Sequence, residues 1–133
     1  METMPQNDLF SAIESGNADS VASILASGVD PVCHMRERWI PLHLACYCRH
    51  IDVVILLLNH GVDINSKNAS GWTALHWACA NGGNSKGLIE LLIERGADIR
   101  IRDHQTRQAL DRLPRWKIHF VKLFDEINHI NSQ

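Results

Sequence analysis

The sequence predicts an all-α repeat solenoid, and three observations predict it. Ile40-Pro41-Leu42-His43-Leu44-Ala45-Cys46 aligns with Thr73-Ala74-Leu75-His76-Trp77-Ala78-Cys79, and 73 minus 40 gives a period of 33. A second landmark, Ser27-Gly28-Val29-Asp30, returns as His60-Gly61-Val62-Asp63 at the same spacing and as Arg95-Gly96-Ala97-Asp98 at a spacing two longer. Between the landmarks, apolar residues such as Val53, Val54, Leu56 and Leu57 fall where a helix would present them to one side. Self-similarity at such a period marks a stack of short units, none of which can bury its apolar face alone.

These landmarks resemble the ankyrin repeat, whose signature is T-P-L-H-x-A on a period of about 33 residues. The resemblance covers roughly residues 7 to 113 and implies helix, turn, helix and then a β-hairpin-like finger. About four repeats follow, at approximately residues 7–32, 33–65, 66–100 and 101–130, in a single domain over residues 1–133 with N- and C-terminal capping helices. The first unit lacks a finger, and the last is degenerate.

Each element has a local cause. Thr73 can cap a first helix with its hydroxyl, satisfying an amide that the helix leaves free. Pro41 sits in a first turn, which needs no amide donor. Leu42, Ala45, Leu75 and Ala78 share one helical face, and alanine lets neighbouring units approach closely. Gly28, Gly61 and Gly96 follow the second helices, where a left-handed residue is usual. The first finger departs from the family pattern: Pro31, Met35, Arg38 and Ile40 stand where an aliphatic residue, Asp, Gly and Thr are expected. Losing the cap at Ile40 should cost about 1 kcal/mol, and Arg38 lacks the freedom of glycine in the turn. The third unit carries two extra residues within the segment 81–87, between its helices. After Pro114, the residues Trp116, Phe120, Leu123, Ile127 and Ile130 form a stripe at helical spacing that should cap the open end of the core.

Composition narrows the function. The chain has 133 residues, 45% apolar and 21% charged, with a formal charge of -2, an ordinary globular balance. Val53–Leu58, the longest apolar run, is too short to span a bilayer. The segment 1–8 lacks the basic start and apolar stretch of a signal peptide, so reduced thiols in the cytoplasm, or the nucleus, are the expectation. Cys33, Cys46, Cys48 and Cys79 show no disulfide or zinc-knuckle spacing. Charge is uneven. Residues 1–35 hold five carboxylates and no Lys or Arg, whereas residues 95–122 hold eight cations against three carboxylates. That asymmetry could steer a partner or merely solvate the two ends. No motif marks nucleic-acid binding, and the basic finger has no interleaved aromatics.

Sharper chemistry has candidates, each with a plainer reading. His43, Cys46 and His50 share a helical face that could hold a metal. But His43 matches His76, a motif histidine that ties the finger backbone, and Cys46 matches Cys79, a small buried residue. Gly82-Gly83-Asn84-Ser85-Lys86-Gly87 has the residue types of a phosphate cradle without its order, and reads as a turn capped by Asn84 or Ser85. Asn68-Ala69-Ser70 fits a glycosylation sequon in a chain with no export signal. No serine or cysteine has a recognisable base beside it. Catalytic, cofactor and metal residues are therefore expected to be none, with a metal- or phosphate-ligand protein, or an enzyme on this scaffold, as the alternative.

The resemblance implies binding of another protein by fingers and inner helices, as a scaffold, adaptor or stoichiometric inhibitor that is monomeric on its own. Carried onto this chain, the surface positions are His34, Arg36, Glu37 and Trp39 on the first finger, with Tyr47 and Cys48 on its helix. Lys67, Ala69, Ser70 and Trp72 follow on the next finger, with Trp77, Ala80 and Asn81 on its helix, and then Arg102, His104 and Arg107. Trp39, Tyr47, Trp72 and Arg107 have the side chains that most often dominate interfaces. Trp39 and Trp72, one period apart, are expected one above the other, either as anchors or as packing between fingers.

Overall fold

Short amphipathic segments become helix pairs here, with side-chain caps at Asn17 and Thr73. The computed structural model describes residues 5–34, 38–80, 85–113, 115 and 117–131, and the chain divides into two units, Met1–Asp63 and Ile64–Gln133. The first unit holds α1 (Pro5–Ser15), α2 (Ala18–Ala26), α3 (Pro41–Cys48) and α4 (Ile51–Asn59). The second holds α5 (Ala74–Ala80), α6 (Lys86–Glu94), a 3-10 turn at Ala109–Arg112 and α7 (Lys117–Asn131).

In the first unit α1 packs on α2 and α3, α2 on α4, and α3 on α4. Leu9 and Ile13, Val21 and Leu25, Leu42 and Ala45, and Val53, Val54 and Leu57 supply the buried faces. Leu9 and Leu42, like Ala12 and Ala45, are buried one period apart, so the repeat holds in space within this unit. Asn17 caps α2, its side-chain oxygen accepting the Ser20 amide at 3.1 Å. Pro41 opens α3 as expected, and Ile40 precedes it without a side-chain cap. Half of the cap survives, because the Ile40 amide donates to His43 Nδ1 at 3.3 Å.

In the second unit α5 packs on α6 and on the 3-10 turn, while α6 and the 3-10 turn both pack on α7. The cap is complete here: the Thr73 amide donates to His76 Nδ1 at 3.1 Å and the hydroxyl lies 2.9 Å from the same atom. The fourth inner helix shrinks to one turn. Leu113, which precedes Pro114, has φ -128 and ψ 63, because a residue before proline is pushed out of the helical region. Phe120 of α7 is fully buried, and Leu123 and Ile127 are half-buried, which gives the stripe a packed side. Trp116 and the Ile130 side chain lie outside the described residues.

The fingers are tighter than hairpins. Among the described residues there is no strand, only one isolated antiparallel bridge between Arg102 and Gln108. Each finger of the second unit closes instead around one buried side chain. Asn68 Oδ1 accepts the amides of Ser70 and Trp72 at 2.9 and 3.0 Å. Asp103 Oδ1, at the same place in the next finger, accepts those of Gln105 and Arg107 at 2.8 and 3.0 Å. Asn68 is thus a buried turn residue. In the first finger Met35, which has no acceptor, lies outside the described residues.

Candidate functional site

The expected partner-binding residues fall into two groups with different surroundings. In the first unit Trp39 is half-buried and meets Tyr47 edge-on, ring centroids 5.8 Å apart at 68°. Tyr47 remains 51% exposed on α3, and Cys48 beside it is half-buried. His34 is exposed, while Arg36 and Glu37 lie outside the described residues.

In the second unit Trp72 is likewise half-buried and makes several contacts. Its indole N–H donates to Asp103 Oδ2 at 3.0 Å. Trp77 meets the ring edge-on at 4.5 Å, His76 stacks on it at 5.9 Å, and the Arg112 guanidinium lies 4.6 Å from its centroid. Such contacts satisfy the polar end of the ring and hold it among aromatic and cationic neighbours. Arg107 and Arg102 serve the fingertip. Arg107 pairs with Asp103 at 3.6 Å and bonds Gln105, and Arg102 donates to the Thr106 carbonyl at 2.7 Å. His104 joins the two fingers through its amide, which donates to the Ser70 carbonyl at 3.0 Å. Lys67, Ala69, Ser70 and Ala80 are positioned on fingers and helix as expected, with Ala69, Ser70 and Ala80 exposed and Lys67 open to water, and Asn81 lies outside the described residues.

Electrostatics follow from these contacts. Burial pushes the Asp103 carboxyl up, but the Arg107 and Gln105 amides, the Trp72 indole and the Arg107 charge more than offset it, and the net shift is downward. Burial holds the His76 imidazole below its ordinary range, although the Arg107 carbonyl and Asp103 oppose that. With Nδ1 accepting from Thr73, Nε2 carries the proton toward the Arg107 carbonyl at 3.2 Å, which fixes a neutral tautomer. This histidine holds a finger, as expected.

The other chemical candidates separate in space. His43 and Cys46 are buried, whereas His50 turns its Nε2–H to the Glu14 carbonyl at 3.1 Å. Among the described residues no three His, Cys, Asp or Glu side chains come together as a ligand set. Burial raises all four thiols, Cys79 to about 12 and Cys46 further, which disfavours the thiolate needed for nucleophilic or metal chemistry. Ser85 stands at the cap of α6, but its hydroxyl is buried and makes no capping bond. Of the two alternatives for that cap Ser85 does not serve, and Asn84 lies outside the described residues. No described helix is long and apolar enough to cross a membrane.

Sequence reasoning missed two structural roles. Asn68 and Asp103 were legible as a repeated acceptor at the same finger position. The Arg112 contact with Trp72 had no such signal, since it joins the degenerate fourth unit to the finger before it.

Comparison with known proteins decides the family. A family model of three consecutive ankyrin repeats matches residues 9–103. The chain is an ankyrin-repeat protein. It is similar to an E3 ubiquitin-protein ligase, KEG, of Arabidopsis thaliana, with 32% identity over 97 residues, 72% of this chain and 6% of that protein. It is also similar to a putative ankyrin repeat protein of fowlpox virus, with 37% identity over 60 residues, 45% of this chain and 13% of that protein. A third relative is the SMC5-SMC6 complex localization factor protein 1 of Bos taurus, with 50% identity over 52 residues, 38% of this chain and 5% of that protein. The ankyrin-repeat chain thus spans only a small part of these relatives. Ankyrin repeats are protein-interaction modules.

Proposed function

We propose that this ankyrin-repeat chain works by holding another protein, as a scaffold, adaptor or stoichiometric inhibitor, without catalysis of its own. The observation that carries the reading is the Trp39–Tyr47 pair, an aromatic surface with one ring half open to water. Large aromatic side chains at interface centres supply much of the binding energy, and keeping one half-exposed forgoes burial that the fold could use. Relatives named as a ubiquitin ligase and a complex localization factor carry similar repeats, which supports a recruiting role. The module is read as monomeric on its own, in the cytoplasm or nucleus, where its four thiols, none of them in a disulfide, would stay reduced.

The test is a footprint. A partner captured by affinity from the native source, purified and returned to the ankyrin-repeat chain, should slow amide exchange in residues 38–50 more than in the second-unit fingers. Protection confined to α7 or to the outer helices would move the site elsewhere.

A further inference from the structure

The surface around Tyr47 has a charge to match. Within the first unit the repeat register places Glu14 of α1 where α3 has Tyr47, and α1 packs on α3. Two contacts show that this end of α1 lies close to the end of α3. His50, just beyond α3, bonds the Glu14 carbonyl, and a β-carbon on Gly16 would meet the His50 ring at 2.8 Å. The Glu14 charge also adds to burial in raising the Cys48 thiol, beside Tyr47.

Glu14 is exposed and has no cation within ion-pair distance among the described residues. It gains nothing from its own helix, since it sits in the last turn of α1, where the macrodipole is negative. A carboxylate so placed, next to an exposed aromatic face, breaks a local rule without a compensating contact, and such places are expected at functional sites. The first unit also carries eight carboxylates against three arginines, a balance of -5 that would draw a cation in.

We propose that the Trp39–Tyr47 surface receives an arginine-bearing segment of the partner, its guanidinium lying on the Tyr47 ring and pairing with the Glu14 carboxylate. This rests on the reading of that surface as the partner site. Arginine suits both halves of the contact, because its planar guanidinium stacks on aromatic faces and bonds carboxylates through two N–H groups. The segment carries one arginine rather than a polybasic run. Arg38, two residues before Ile40 at the head of α3, and Arg49, at the end of α3, would repel further cations.

The experiment is an NMR titration of the full chain with the pentapeptide acetyl-Gly-Ser-Arg-Ser-Gly-amide and its Gln counterpart. The arginine peptide should shift the Glu14, Tyr47 and Cys48 amides saturably, at least about five-fold more tightly than the glutamine peptide. Glu14→Gln should reduce it to the level of the glutamine peptide while leaving the melting temperature unchanged or slightly raised. Asp19→Asn removes the same charge from α2 and should change binding less than about two-fold. The proposal falls if the two peptides bind alike, if those amides do not shift, or if Asp19→Asn weakens binding as much as Glu14→Gln. Binding of the captured partner separates the two readings. If Tyr47→Ala loses the partner while Glu14→Gln holds it normally, the surface stands and the arginine is wrong; if neither variant loses it, both readings fail.

Discussion

Trp39 and Trp72 occupy the same place in successive repeats and are both half-buried, yet Trp72 is tied to the next finger of its own unit while Trp39 meets a half-exposed tyrosine. Trp72 has every feature of a structural residue: a buried acceptor for its N–H, rings against it, and a guanidinium over its face. Trp39 packs edge-on against a tyrosine that is half open to water. The difference teaches that equal position in a repeat does not fix equal role. Around Trp72 the following finger of the same unit takes part, where Asp103 supplies a carboxylate to the indole.

The largest effect should come from Trp72. Trp72→Ala removes the ring that joins Asp103, Trp77, His76 and Arg112, and should cost about 3 kcal/mol or more in urea unfolding. Trp39→Ala should cost less than about half of that. Equal losses would break the comparison. Next comes the clamp: Asp103→Ala leaves the Trp72 indole and two finger amides without their acceptor, and should cost about 1–3 kcal/mol.

Acid should act on the second unit through His76. Its folded pKa lies below the ordinary value of 6.5, so the neutral form is the one the fold favours. The stability it contributes is present above pH 6.5 and is lost as pH falls below that value toward the folded pKa. Melting temperature followed from about pH 7.5 downward should therefore fall more steeply in the wild type than in His76→Gln. Asp103 has the same sign at lower pH, since its depressed pKa makes stability present above the ordinary carboxylate value and lost as pH falls through the folded one.

The smallest effects should be gains. Arg38 and Arg49 have φ of 62 and 61, where the equivalent residues Gly71 and Gly16 have 78 and 73. L side chains pay a steric penalty in this left-handed region. Arg38→Gly should stabilise by about 0.5–1 kcal/mol in thermal unfolding. Arg49→Gly should give less, because its charge also offsets the negative end of α3. A loss in either variant would mean that the arginine makes a contact in the fold.

Much of the fold was legible because period, cap and glycine positions are local signals. The Thr73 cap, Pro41 at the head of α3, the weakened cap at Ile40 and the packed side of α7 at Phe120 all followed from neighbours in sequence. The site was less legible. Both tryptophans read alike in the sequence, because a repeat motif records spacing and not the side chain that comes to lie against it from the next finger. Arg102 and Arg107 read as interface positions from the same repeat pattern, and their guanidinium groups also bond the fingertip around Thr106, Gln105 and Asp103, which no spacing signals.

The central claim is that Tyr47 belongs to binding and Trp72 to folding, and the direct test measures both properties in both variants. For Tyr47→Ala, affinity for the captured partner should fall by about 2 kcal/mol or more, while circular dichroism and melting stay close to wild type. For Trp72→Ala, melting temperature should fall first and furthest, with affinity lost only as the fold is lost. Normal partner binding by Tyr47→Ala would contradict the claim, as would a Trp72→Ala variant that melts like the wild type and binds more weakly.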